Sequence, residues 1–334
     1  MQAYQATPQA LPPPPGIIGS LRAGFDVIAG NIAVILMPLG LDLLLWLGPR
    51  LSLNEIVQPF LAQAASLAAG SGLQPADVKS ALDMYRQFFQ SFNLLSAVRT
   101  FPVGVFSLMS GRMPAHSPLG APVTLQIDSS VNVLGLALVL TLAGWMLGGL
   151  YFQWVAALVR SKPAAEGPRT AGRALVQTLL YSVICAALAW AVGLPLLLVL
   201  YLLFAINTLL GEGVILFLAF VSLWLIVPVF FSPHGIFVRK QNAVASLLGS
   251  FQLTRFTLPS SSLFVLTVFM LGIGLNYLWS IPASDSWLAL VGILGHAFIT
   301  TALLASSFIY YQDMSSWLQA VFARLRASTP TQQA

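Results

Sequence analysis

The sequence predicts an all-α protein, a polytopic membrane helical bundle of about six transmembrane helices with interfacial amphipathic helices and an outer helical cap. Two observations predict this class. Of the 334 residues, 57% are hydrophobic and only 7% are charged, whereas a soluble domain carries about 25% charged residues. Apolar runs also recur that are long enough to cross a hydrocarbon core of about 30 Å, which takes roughly 20 helical residues. Lipid is therefore the expected solvent.

Six apolar runs divide the chain. They lie at about 28–48, 131–158, 176–206, 211–231, 260–280 and 287–310. We expect a single transmembrane domain over 16–327, with an extracytoplasmic helical insertion at about 50–129. The Pro-rich segment 1–15 and the segment 328–334 are expected to be disordered tails, and the first of these lacks the basic start and apolar run of a signal peptide.

The third run leaves two alternatives open. From Ala171 to Asn207 a single helix would be about 55 Å long, and Gly193 and Pro195 interrupt the run. Either an interfacial stretch precedes a span kinked at these residues, or two half-helices form a re-entrant hairpin.

Basic residues indicate the orientation, because short cytoplasmic loops hold an excess of Lys and Arg. With the N-terminus inside, the two short outer loops hold none, and the inner segments hold Arg22, Arg160, Lys162, Arg169, Arg173, Arg239, Lys240, Arg255, Arg324 and Arg326. Both termini are thus predicted to face the cytoplasm, with the chain in a bacterial cytoplasmic membrane. Arg22 aside, these basic residues are also candidates for contacts with lipid headgroups.

Three amphipathic stretches fall on the predicted inner side. Apolar residues recur at helical spacing over 17–29, over 244–251 and over 317–325. Such stretches either pack beneath the bundle or bind anionic lipid at the interface.

The insertion is predicted to form a helical cap over the outer face. Ser52 and Glu55 have the spacing of a capping box, which predicts a helix running toward Gly70. A second helix is expected with Pro75 in its first turn. The Gly, Pro and Ser content of 101–128 predicts irregular structure with a short strand at 123–127.

Asp42 and His296 are the two ionisable residues placed deep in predicted spans. Such residues are costly and normally face the bundle interior or a cavity with a partner. Both would lie about 9–14 Å below the outer boundary, so they are candidates for an intramembrane polar pair. The pair would serve as a proton relay or ligand site, or else as a structural ion pair or a set of hydrogen bonds to other helices.

Other chemical signals are absent. His116 and His234 are expected in loops and lack metal-ligand spacing, and no phosphate-binding or nucleophile motif occurs. We therefore expect no catalytic residues, no metal and no cofactor. Gly144 and Gly148, followed by Gly149, form a small-residue motif that predicts close packing within the chain or dimerisation.

A predicted span that ends with Leu223 to Phe231 leads into Phe237-Val238 and then into Ala245 to Arg255. Through these residues, the stretch 169–256 resembles the membrane domain attached to some glycerophosphoryl diester phosphodiesterases and found alone in uncharacterised bacterial multi-pass membrane proteins. Arg239-Lys240 stand where that family commonly has an acidic residue, and the catalytic barrel has no counterpart. The resemblance implies membership of a membrane family without phosphodiesterase activity.

The leading hypothesis is a non-enzymatic scaffold, accessory subunit or lipid-interacting module of a bacterial cytoplasmic membrane. Its expected partners are membrane lipids and other membrane-protein subunits, with no nucleic acid. The alternative is a transporter or channel with a polar site near Asp42 and His296, and an intramembrane enzyme ranks third.

Overall fold

The computed structural model describes residues 13–70, 74–160 and 168–328. It confirms the predicted class, since the chain is 80% helical with almost no sheet. Within these described ranges, five helices are long and apolar enough to cross a membrane, or six if the bent pair near the start counts as one span. Most of both predicted tails lies outside the described residues.

The elements follow one another in a simple order. The helices are α1 (Ile17–Ala29), α2 (Leu36–Leu47), α3 (Asn54–Ala69), α4 (Pro75–Ser91), α5 (Met109–Arg112), α6 (Ser130–Val159), α7 (Pro168–Ile206), α8 (Thr208–Phe231), α9 (His234–Val238), α10 (Ala243–Trp279) and α11 (Ala289–Ser328). Two 3₁₀ turns, Ile32–Ile35 and Leu94–Val98, and two strands, β1 (Arg50–Ser52) and β2 (Thr124–Gln126), complete the described fold. The strands pair in parallel.

The first predicted span is not one helix over 28–48. The chain turns by 91° between α1 and the segment Ile32–Leu47. α1 runs antiparallel along α11, because Leu21 contacts Ser306 while the Phe25 ring lies 6.0 Å from that of Phe298. The apolar face of α1 therefore packs on another helix, which is the first of the two alternatives for this stretch.

A glycine sets how closely α1 approaches α11. A Cβ on Gly24 would collide with the backbone and hydroxyl of Ser306. The hydroxyl of Ser306 in turn donates a hydrogen bond to Leu21 O at 3.2 Å. Small residues on both helices thus allow a contact between backbones.

α7 is continuous from residue 168 to residue 206, with Pro195 inside it. This excludes the re-entrant hairpin at Gly193 and Pro195, and a kink at these residues stays a prediction. A break occurs instead in α10, where Thr257 leaves helical geometry (φ −125°) two residues before Pro259. A proline inside a helix removes a backbone donor and crowds the preceding turn. α10 therefore joins the predicted amphipathic stretch to the fifth span.

The insertion contains the expected helices α3 and α4, and α4 begins at Pro75. The capping box does not form as predicted, because Ser52 ends β1 and its hydroxyl accepts from Asn54 N at 3.2 Å. The predicted strand is β2, whose partner β1 lies before α3. This pairing closes the insertion at its base.

Residues 99–108, which we call the inserted loop, lie against α6. The carbonyl of Val98 and the side chain of Thr100 fill the position where Gly144 would carry a Cβ. A Cβ on Gly148 would lie 2.5 Å from Gly104 Cα. Gly148 lies about 27 Å along α6 from the first residue of that helix. The irregular backbone of the inserted loop therefore contacts α6 deep within the length of this membrane helix. Such backbone is tolerated in membranes where protein buries it.

The Gly144 and Gly148 positions thus accommodate a loop. Gly149, in contrast, faces α7, where a Cβ would lie 3.2 Å from both Leu175 and Thr178. All three glycines pack within the chain.

Gly148→Ala should destabilise the protein by about 1–3 kcal/mol, because the new methyl group meets backbone that cannot move aside. Gly135→Ala, in the same helix with open space around it, should be neutral or slightly stabilising since alanine favours helix. Equilibrium unfolding of both variants in lipid discs checks this. Equal stability of the two variants would contradict the loop packing described above.

Candidate functional site

The first buried polar centre forms around Asp42, whose side chain is 0% exposed. Its Oδ1 accepts from Ser107 Oγ at 2.6 Å and from Met109 N at 2.9 Å. Its Oδ2 accepts from Leu108 N at 3.1 Å. Two donors from the end of the inserted loop and one from the first residue of α5 therefore bind the carboxylate, and we call this group of residues the Asp42 centre.

The local sequence explains why the donors converge. Ser107-Leu108-Met109 leads into the short helix α5, whose first amides have no partner within the helix. A carboxylate suits this position because it accepts hydrogen bonds from such amides. The hydroxyl of Ser107 also accepts from Ser110 N at 3.0 Å, which holds the turn together.

His296 lies beside this centre, as predicted from its depth in the last span. Its Nδ1 is 3.8 Å from Asp42 Oδ2, a separation too long for a hydrogen bond. Within the part of the chain that the structure describes, His296 Nδ1 has no hydrogen-bond partner. The two side chains meet, but the hydrogen bonds of Asp42 go to the inserted loop.

Two further side chains fix the same region to the connection between α10 and α11. Trp46 Nε1 donates to Ser284 O at 2.7 Å, and Arg112 Nη2 donates to Pro282 O at 2.8 Å. Partial burial lowers the pKa of Arg112, yet an arginine remains protonated in proteins. Arg112 therefore acts as a fixed cationic donor at the end of α5.

A small cavity lies next to the Asp42 centre. It measures about 10 Å³, which is room for about one water molecule. Its lining includes Trp46, Arg50, Asn93, Met109 and Ser110, and it includes neither Asp42 nor His296. The carboxylate therefore does not open onto this cavity.

A second polar centre, which sequence reasoning missed, forms around His234. This residue was expected in a loop, but it begins α9 and is only 2% exposed. Its Nε2 lies 2.8 Å from Ser307 Oγ, and its ring centroid is 4.8 Å from that of Phe308. The corner between α8 and α9 is thereby fixed to α11.

Hydroxyl groups extend this second centre. Tyr181 OH hydrogen-bonds to Ser232 Oγ, and Ser246 Oγ donates to Ser232 O at 2.5 Å. A side chain on Gly235 would collide with Ser246 and Gln241. The only signal in the sequence was a set of serines placed inside or beside apolar spans.

The predicted headgroup-contacting residues gather at one end of the bundle. They lie where α6 ends, where α7 begins, beyond α9, in the first half of α10 and in the last turns of α11; those described are Arg160, Arg169, Arg173, Arg239, Lys240, Arg255, Arg324 and Arg326. Lys162 lies outside the described residues. Arg239 lies over the Tyr311 ring, with 5.9 Å from its Cζ to the ring centroid.

Neither centre has the composition of a metal site. Among the residues described, no group of three or more His, Cys, Asp or Glu side chains could hold a metal ion. Asp42 lies beside His296 of α11, whereas His234 bonds to Ser307, further along the same helix. The two polar centres are therefore separate in space. The arrangement supports positioning of backbone rather than ligation.

Comparison of the chain with protein-family models, curated proteins and solved structures finds no match. The resemblance to the phosphodiesterase-associated membrane domain therefore stays a prediction.

Asp42→Asn should destabilise the protein by about 3 kcal/mol, because hydrogen bonds to a charged group contribute about 1.5–3 kcal/mol each. An asparagine would also turn its amide hydrogens toward backbone donors. Asp26→Asn makes the same chemical change at an exposed carboxylate and should have a much smaller effect. Unfolding measurements in lipid discs compare the two, and a similar loss for both would argue against the Asp42 centre.

Proposed function

We propose that the protein is a non-enzymatic, non-transporting membrane scaffold or accessory subunit that holds its insertion against one face of the membrane. The observation that carries the proposal is the Asp42 centre, in which Ser107 Oγ and the amides of Leu108 and Met109 donate to the carboxylate. These donors occupy three of its about four acceptor positions, whereas a transport or catalytic carboxylate needs capacity to bind an ion, a proton or a substrate. Asp42 instead anchors the inserted loop.

The surroundings of this centre favour the scaffold over the transporter. A transporter needs a polar cavity that connects its binding site to at least one face of the membrane. The side chains of His296 and Asp42 are only 8% and 0% exposed, so neither is open to such a cavity. The adjacent cavity of about 10 Å³ is smaller than the pockets of about 300–1,000 Å³ that bind small molecules.

An apolar arm adds further support. Over residues 187–226, which form the outer parts of α7 and α8, Gly211 is the one buried residue. The two helices contact each other there, and lipid or another membrane protein must cover the rest of their surface. A closed polar centre with such an exposed flank suits a subunit better than a solitary pump.

We further propose that the protein resides in a bacterial cytoplasmic membrane with both termini in the cytoplasm. The gathering of basic residues at one end of the bundle supports this orientation, because cytoplasmic segments are enriched in Lys and Arg. Arg173 and Lys240 mark this end at the α7 and α9 termini.

Cysteine accessibility tests the closed centre and the orientation together. The chain has one cysteine, so Cys185→Ala gives a background for single cysteines at His296, Ala283 and Ala323. Membrane-impermeant thiol reagents should label Ala283→Cys from outside only and Ala323→Cys from inside only, while His296→Cys should react from neither side.

Labelling of His296→Cys from either side at a rate similar to that of the exposed positions would contradict the scaffold and favour a transporter. Labelling of Ala323→Cys from outside would overturn the proposed orientation. The exposed cysteines serve as controls for reagent activity.

A further inference from the structure

A cleft opens where α6, α7 and α9 meet. Its lining comes from four parts of the chain and consists of Gln153, Thr170, Arg173, Ala174, Gln177, Ile236, Lys240 and Gln241. The floor is buried at Gln153, Ala174 and Ile236, whereas Arg173 and Lys240 are exposed at the rim. The cleft is therefore a small recess with two cationic side chains at its edge.

The two cations at the rim are not neutralised by the described part of the chain. The ion pairs there involve Arg22, Arg86 and His296, so neither Arg173 nor Lys240 has a carboxylate within 4.0 Å among described residues. The floor supplies the amide side chain of Gln153, and none of the lining residues is acidic. An anion is the ligand that this set of side chains would attract.

The backbone at Lys240 is unusual. Its φ is 54°, in the left-handed region, which residues with a Cβ seldom adopt and which glycine adopts readily. The turn is closed by Gln241 N, which donates to Gly235 O at 3.1 Å. Lys240 thus has a backbone conformation that is strained for lysine and unstrained for glycine. Because such strain is concentrated at functional sites, we infer that the Lys240 side chain has a function.

The dimensions of the cleft suit part of an anion. The space of about 10 Å³ within the cleft holds a group the size of one water molecule, such as one phosphoryl oxygen. The remainder of a phosphate group would lie at the rim, within reach of charge-assisted hydrogen bonds from the two basic side chains. Basic pockets between membrane helices on the cytoplasmic side bind anionic lipid headgroups.

We propose that this cleft binds the phosphate group of an anionic phospholipid, with Arg173 and Lys240 as its charged contacts and Gln177, Gln241 and Thr170 around it. The site goes beyond the scaffold role and does not depend on the Asp42 centre. It requires only that this end of the bundle lies at a membrane surface.

Native mass spectrometry of the purified full chain tests the proposal. The protein is exchanged into mixed micelles that contain equal amounts of dioleoyl phosphatidylglycerol and dioleoyl phosphatidylcholine, and the bound lipids are counted. Wild type should retain one phosphatidylglycerol in preference to phosphatidylcholine. Arg173→Gln and Lys240→Gly should each reduce this preference about fivefold, as expected for loss of one basic residue near a headgroup.

Matched variants separate a site from general surface charge. Arg326→Gln removes one positive charge from the same end of the bundle and should change the preference less than about twofold, because it lies outside the cleft. Lys240→Gly suits the turn because glycine tolerates positive φ. Lys240→Arg should restore most of the preference.

Three results would overturn the proposal. Equal losses for Arg173→Gln, Lys240→Gly and Arg326→Gln would show general surface charge only. Displacement of the lipid by millimolar inorganic phosphate would assign the cleft to free phosphate. A preference for phosphatidylglycerol that is absent in wild type and present in Glu166→Gln would show that the chain's own carboxylate occupies the cleft. Glu166 itself lies outside the described residues.

Discussion

The hydrogen bonds between the Asp42 carboxylate and the inserted loop are the constraint on which the rest of the structure depends. Water is scarce inside a membrane bundle, so each backbone amide of a non-helical segment needs a partner from the protein. Leu108 and Met109 find that partner in Asp42. Gly144 and Gly148 provide the space that lets the loop reach it. The buried Asp42 carboxyl group and the two glycines of α6 thus allow irregular backbone to pack against a membrane helix.

α11 is the helix on which the other parts of the bundle converge. Small polar residues along it bind one neighbour each: Thr301 bonds Tyr151 of α6 at 2.8 Å, Ser306 bonds α1, and Ser307 bonds His234. Apolar packing alone distinguishes poorly between helix partners in lipid, whereas such hydrogen bonds add specificity. The same helix carries His296, which brings the Asp42 centre into this framework. Its buried polar residues therefore determine which helices lie next to it.

The sequence was most informative where hydrophobic length decides the structure. The apolar runs indicated α6, α8 and the bulk of α7, α10 and α11, and the depth of Asp42 and His296 in their spans placed the two residues near each other. The glycine motif in α6 correctly indicated a close approach. It could not indicate what approaches, because the same missing side chains fit a helix or a loop.

Other features lacked any local signal. The amphipathic pattern of α1 is the same whether its apolar face covers α11 or a lipid surface. The Gly and Pro content of the inserted loop indicates irregular backbone but not how deep it lies. His234 stands in Ser232-Pro233-His234-Gly235, which reads as a surface turn, and only the distant Ser307 makes it a buried partner. Pro195 gave a false suggestion of a re-entrant break, since a continuous membrane helix can contain a proline.

Hydrogen exchange at the amides of Leu108 and Met109, measured in lipid discs with residue resolution, tests the central claim most directly. These amides should exchange as slowly as those in the buried middle of α11, and Asp42→Asn should accelerate their exchange while α11 stays protected. Exchange of the wild-type amides as fast as that of the exposed helix α4 would contradict the anchoring of the inserted loop by Asp42.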